Sequence, residues 1–209
     1  MSDAALRTTA MTLVDFNRFL STRPEHERWE LIGGAAEMMT NPLLNHGLIV
    51  GNIFAPLKTH LSGGDCRAFA GGLRVQRSND AGESFAAIPD IVVQCGPRPN
   101  RAYTLNAVAV VEVLSRSTMH RDRGAKFDFY RSLPTLRHIV FAYQSQMRVE
   151  HYRRTDRGWV LSEATRSTDR LTLDAIGFEI DLGAVYDDVS TLRSVAVVDD
   201  ADDEAPPIP

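Results

Sequence analysis

The run AVAVVEVLS at positions 107–115 leaves this chain few ways to fold. Side chains alternate from one face of an extended strand to the other, and here both faces are apolar. Such a strand needs cover on both sides, as a central strand of a sheet packed between other layers has. Glu112 breaks the pattern. A carboxylate in a doubly covered strand is costly unless a cation or hydrogen-bond donors meet it. The helix-like segment that follows, TMHRDRGAKFDFYRSL, with Thr118 as a possible cap, carries Lys126, and Lys58 is the only other lysine in the sequence.

The rest of the chain supplies layers for this strand. TLVDFNRFL (12–20) spaces its apolar residues as an amphipathic helix, with Thr12 and Asp15 placed for a capping box. RWELIGGAAEMM (28–39) reads as two short strands joined at Gly33-Gly34. Leu44, Leu48, Ile49, Ile53, Leu57 and Leu61 share one helical face, so 41–61 is expected to form a long helix, with Gly51 and Pro56 as its weak points. DCRAFAG, GLRVQRS and FAAIPDIVVQC read as strands, with SNDAGES as a turn between the second and third. LRHIVFAYQ and RVEHYRR read as two more, and IGFEIDLGAVYDDV closes the pattern. The expected fold is α/β, a mixed central β-sheet flanked by helices.

Composition narrows the function classes. The chain has 209 residues, 44% hydrophobic and 24% charged, which fits a soluble single domain, expected over 1–193. No apolar run approaches the roughly 18 residues of a membrane span, and the N-terminus lacks a secretory pattern, so a cytoplasmic protein away from membranes is expected. Cys66 and Cys95 have no metal-ligand spacing and read as free thiols of a reducing compartment. The segment 194–209 holds Asp199, Asp200, Asp202, Asp203 and Glu204, no Lys or Arg, and several prolines, and is expected to be a disordered acidic tail. Without those five acids the balance is 23 cations against 27 − 5 = 22 anions, or +1. A near-neutral body is compatible with a local phosphate-binding groove but does not call for one. The cation-rich stretch from Arg116 to Arg137 could meet phosphates or could simply be a solvated face.

Three polar residues stand against their local pattern: Asp90, behind Pro89 at the head of DIVV, Glu112, and Lys126. Two carboxylates brought together repel, and a divalent cation is their natural partner. Mg²⁺ takes oxygen ligands and keeps several waters, so one or two carboxylates plus phosphate oxygens suffice. A nearby lysine can orient a water or offset developing negative charge. The alternatives are ordinary ones: Asp90 ending a turn, Glu112 paired with Arg74 or Arg137, and Lys126 pairing with Asp122 four residues earlier on the same helical face. His120 beside Asp122 is a weaker ligand candidate among arginines, and Tyr130 reads as helix packing.

PDIVV together with VVEVLSRSTMHRDRGAKFDFY resembles the Uma-type family of restriction-endonuclease-like proteins, within the PD-(D/E)XK nuclease superfamily. RWELIGGAAEMM, NPLLNHGLIVGNIF and IGFEIDLGAVYDDV resemble that family's opening hairpin, histidine-bearing helix and closing segment. The superfamily's usual lysine position, two residues after the glutamate, is Leu114 here, while the Uma-type pattern puts the lysine on the following helix, where Lys126 stands. The resemblance implies a restriction-endonuclease-like fold, Asp90 and Glu112 as metal ligands, Lys126 as the catalytic cation, Glu30 in support, and His46 as the family's helix histidine; Asp122, by its spacing of four from Lys126, could hold the ammonium in place. It implies a Mg²⁺- or Mn²⁺-dependent nuclease acting on nucleic acid, with DNA the first expectation. A homodimer would suit two-strand cutting. The rivals are a non-catalytic interaction protein that keeps the fold, and a metal-dependent hydrolase of another phosphoester. Two departures stand out: NAVAVVEV lacks a second proline–aspartate pair, and LRHIVFAYQ lacks the aromatic–aspartate ending.

Overall fold

The computed structural model describes residues 10–78, 84–97, 99–115 and 122–190. The expected turn at SNDAGES, Thr118, His120 and the acidic tail lie wholly or mostly outside these. Two principal sheets face each other. The larger takes β3 (Cys66–Ala70), β6 (Ile91–Cys95), β8 (Ala107–Leu114), β9 (His138–Tyr143), β10 (Val149–Thr155) and β11 (Gly158–Ala164), in the order β11-β10-β9-β8-β6-β3. The smaller takes β1 (Trp29–Ile32), β2 (Ala35–Met38), β4 (Arg74–Ser78), β5 (Ser84–Ala87) and β7 (Tyr103–Thr104), in the order β2-β1-β5-β4-β7. A hairpin of β12 (Arg170–Leu173) and β13 (Phe178–Asp181) stands apart.

The larger sheet is mixed, as expected. β8 and β9 run parallel, and the helix α3 (Ala125–Ser132) lies in the crossover that parallel neighbours require. β6–β8, β3–β6, β9–β10 and β10–β11 are antiparallel. On one face, Val93, Ala109, Val111, Val113 and Val140 pack against α2 (Leu44–His60), the β12–β13 hairpin and α4 (Leu182–Val185). On the other, Val92, Val110, Leu114 and Ile139 pack against α3 and the inner face of the smaller sheet. This is why β8 is apolar on both faces. What the sequence did not announce is that the second cover is itself largely a sheet.

Helix α2 runs unbroken through Pro56. Loss of a helical bond and ring crowding at proline cost about 3 kcal/mol. Ile49, Ile53 and Leu57 are fully buried, and at roughly 2 kcal/mol each their burial outweighs that cost. Helix α1 (Leu13–Leu20) opens with the expected box: Thr12 Oγ1 accepts from the Asp15 amide at 3.1 Å, and Asp15 Oδ2 accepts from the Thr12 amide at 3.3 Å. Gly33 and Gly34 turn the β1–β2 hairpin at φ +58° and +85°.

One expectation is overturned. Cys66 and Cys95 are a disulfide, directly opposite each other on β3 and β6 with Cα atoms 4.0 Å apart. A sequence separation of 29 hides a pairing that only the strand register creates. The cysteines therefore give no support to a reducing compartment. No described helix is long and apolar enough to cross a membrane.

A buried histidine pair lies at the far side of the larger sheet. His138 of β9 donates from Nδ1 to His151 Nε2 of β10 at 2.9 Å, and its Nε2 accepts from the Ala175 amide at 3.2 Å. Burial, first, lowers both imidazoles to about 4 despite Asp174; Arg153 and Arg137 add to the effect on His138, and His138 and Arg153 to that on His151. Unfolded histidine binds its proton near 6.5, so between about 6.5 and 4 the unfolded chain holds more protons. Stability is present above that window and is lost as pH falls through it. Urea midpoints from pH 7 to 4.5 are expected to fall by the equivalent of about 2–3 kcal/mol for each imidazole of the pair. In a His138→Gln/His151→Gln variant that component of the slope should vanish; an unchanged slope would show that the pair takes up protons in the native fold.

Candidate active site

The antiparallel register that pairs Ile91 with Val111, carried one residue further, sets Asp90 opposite Glu112. Asp90 stands just before β6. Its Oδ2 accepts from the Val113 amide at 2.7 Å and from His46 Nε2 at 3.1 Å. The histidine comes from the first turn of α2. One carboxylate oxygen is thus fixed against the backbone beside Glu112.

Glu112 alternates with Val111 and Val113, so it points, like Leu114, toward α3 and the smaller sheet. Its Oε1 accepts from the Tyr130 hydroxyl at 2.6 Å and lies 2.8 Å from Lys126 Nζ. Lys126 and Tyr130 are four residues apart and share the inward face of α3. Neither Arg74 nor Arg137 pairs with Glu112. Leu114 packs in the core behind, and the ammonium reaches the carboxylate from the next helix instead.

The Lys126 ammonium is nearly sealed, at 1% residue exposure, and lies within 3.0 Å of Glu30 Oε1 and 3.3 Å of Asp122 Oδ1 as well. Glu30 does not face solvent. It lies on the face of β1 that includes Ile32, toward the space between the sheets, and its Oε1 also accepts from the Ile88 amide at 2.7 Å. Asp122 is correctly placed, but not on one continuous helix with Lys126: α3 begins at Ala125, after a nonhelical Gly124 at φ −97°, ψ −117°. Arg123 holds this approach in place. Its guanidinium donates to the Tyr143 hydroxyl and to Glu150 at 3.1 Å. Arg131 pairs with Asp128 at 3.9 Å, so three of the cations between 116 and 137, Arg123, Lys126 and Arg131, already have acidic partners, while Arg116 and Arg121 lie outside the described residues.

All six sequence-predicted site residues therefore meet in one region. Asp90, Glu112, Asp122, Lys126 and His46 line one cleft, and Glu30 supports Lys126 from behind. Tyr130 is the member that a packing interpretation missed. Its ring does pack in the core, yet its hydroxyl lies closer to Glu112 than the Lys126 ammonium does. The i, i+4 spacing from Lys126 was the available signal.

Electrostatics sharpen the picture. Three carboxylates, Glu30, Asp122 and Glu112, surround one ammonium, and Asp90 adds its charge beside Glu112. The three neighbouring acids hold Lys126 firmly protonated against the effect of burial. Burial above all, with Asp122, Asp90 and Glu30, pushes Glu112 up to about 8 despite Lys126. The site carries more negative charge than its own cation balances. Among the described residues no three Asp, Glu, His or Cys side chains form a ready-made ligand set. The donor set that fits a hard divalent ion is the Asp90–Glu112 carboxylate pair, completed by water and substrate oxygens.

Residues 13–183 match the Uma2 family, described as "Putative restriction endonuclease". The chain is 30% identical over 164 residues to an uncharacterized protein of Synechocystis sp., covering 78% of this chain and 85% of that protein. A second uncharacterized protein of the same organism is 29% identical over 143 residues, covering 66% and 78%. The fold is similar to the crystal structure of a protein from Anabaena variabilis titled a putative nuclease belonging to DUF820, with a TM-score of 0.64 at 14% identity over 81% of this chain and 96% of that one. Matched along most of its length, the chain belongs to the Uma2 family of restriction-endonuclease-like proteins.

Proposed function

We propose that this protein is a divalent-metal-dependent nuclease that hydrolyses phosphodiester bonds of nucleic acid, with DNA the expected substrate. The observation that carries the proposal is the opposition of Asp90 and Glu112 at the ends of paired strands, in one cleft, with a buried ammonium 2.8 Å from Glu112. Asp90 and Glu112 would hold Mg²⁺ or Mn²⁺. When bound, such an ion supplies a more acidic water and positive charge against the phosphate.

The chain's own residues do the positioning. Val113 and His46 fix one oxygen of Asp90. Tyr130 and Lys126 fix Oε1 of Glu112. Preorganised groups of this kind need no rearrangement as charge develops, which is where electrostatic catalysis gains most. Lys126 contributes positive charge from the floor of the cleft, and Glu30 and Asp122 hold it there.

The test is cleavage of single- and double-stranded DNA and RNA with Mg²⁺ or Mn²⁺, comparing wild type with Asp90→Asn. Removing one anionic ligand is expected to reduce the rate by about a hundredfold or more. Equal cleavage by both proteins would remove Asp90 from the site. Metal binding without turnover on any of the four substrates would favour the non-catalytic rival.

A further inference from the structure

The cleft has a second wall, formed by Arg28, ahead of β1, and by the connector from β2 to α2, including Met39, Pro42 and Leu43. Two cations therefore line the cleft, and they are placed very differently. Lys126 has three carboxylates around an ammonium with three donors, and cannot turn to a phosphate without leaving one of them. Arg28 is exposed, and its guanidinium makes no hydrogen bond or ion pair with any described residue.

Its position is nevertheless defined. The Met39 amide donates to the Arg28 carbonyl at 2.8 Å, tying the arginine's backbone to the start of the connector. The guanidinium lies over Gly71: a methyl group built there would stand 3.6 Å from Nη2 and 3.8 Å from Nη1. The Gly71 amide in turn donates to the Asp90 carbonyl at 2.8 Å. The unpartnered fork is therefore held beside the segment that carries Asp90, in the same cleft as Glu112.

We propose that Arg28 is the phosphate anchor of the cleft, donating to the nonbridging oxygens of a nucleic-acid backbone phosphate beside the acid pair. The inference rests on the nuclease proposal for the identity of the phosphate-bearing ligand. A planar guanidinium matches two phosphate oxygens at once, which an ammonium does not. It also supplies the substrate-facing positive charge that Lys126, enclosed by carboxylates, does not offer. Arg28 thus binds the strand, while Asp90 and Glu112 serve the reacting phosphate and Lys126 holds Glu112 in place.

Fluorescence anisotropy with labelled single-stranded and duplex oligodeoxynucleotides, in Ca²⁺ and across a salt series, tests this. Arg28→Ala is expected to weaken binding about tenfold at low salt and to reduce the slope of log affinity against log salt by about one. Arg28→Lys should keep most of the slope but lose several-fold in affinity. Arg131→Ala, an exposed arginine paired on α3, is the control and should stay within about twofold of wild type. Matching thermal unfolding of the variants shows that the fold is intact. Unchanged affinity and slope in Arg28→Ala overturn the assignment, and if wild type still cleaves, the nuclease proposal survives alone. Weakened binding by Arg28→Ala alongside a wild type that never cleaves keeps the anchor and removes the nuclease. A wild type that neither binds nor cleaves removes both.

Discussion

Lys126→Met lowers the stability of the fold by about 3–5 kcal/mol and eliminates cleavage. The expected size is that of removing one partner from a buried ion cluster. Methionine fills the space left by the lysine stem, so little of the loss is cavity. What remains is Glu30, Glu112 and Asp122, all at 5% side-chain exposure or less, without the ammonium that joined them. Urea denaturation measures the effect. Adding Glu30→Gln to Lys126→Met removes one of the stranded charges and should recover part of the stability but none of the activity. That split separates a charge imbalance from a general packing defect, which Glu30→Gln would not relieve. A Lys126→Met protein within about 1 kcal/mol of wild type would mean that the ammonium does not neutralise these acids.

Glu112→Gln is expected to act in the opposite way on stability and in the same way on activity. The amide keeps an acceptor for Tyr130 and Lys126 but removes the carboxylate whose proton affinity the site pushes up to about 8. Without metal, the variant should be at least as stable as wild type. With metal, the order reverses. A ligand that binds only the native state stabilises by about 2.7 kcal/mol at a concentration of 100 times Kd. Wild type should therefore show a rising midpoint with added Mn²⁺ or Mg²⁺, while Glu112→Gln stays flat and cleaves at least about a hundredfold more slowly. A metal-induced shift that persists undiminished in Glu112→Gln would place the ion elsewhere.

The site was more legible in the sequence than the architecture around it. A carboxylate in a strand apolar on both faces, and one of only two lysines in an arginine-rich chain, are departures from local pattern, and such departures are visible one residue at a time. The resemblance joined them to Asp90 and added Glu30, whose burial the alternation of a four-residue strand could not decide. Tyr130 was hidden because a tyrosine satisfies two environments at once: its ring belongs to the core and its hydroxyl to Glu112. Arg28 carried no local signal, because an arginine before a strand is an ordinary surface residue until the cleft wall is seen. The division of strands between two sheets, and the pairing of Cys66 with Cys95, depend on registers between distant segments, which no local periodicity records.

The placement of Glu30 also couples the site to folding. Its Oε1 joins the Ile88 amide, at the end of β5, to Lys126 on α3, and so fastens the smaller sheet to the helix behind β8. The side chains at 30, 90, 112 and 126 come from segments that meet only when both sheets are docked. A local opening that lifts the β1–β2 hairpin breaks the Glu30 contacts and leaves Lys126 one acid short, before the Asp90–Val113 bond on the larger sheet is disturbed. Hydrogen exchange at Ile88 and loss of activity should then follow the same opening event, so the site reports the integrity of the junction between the sheets rather than of either sheet alone.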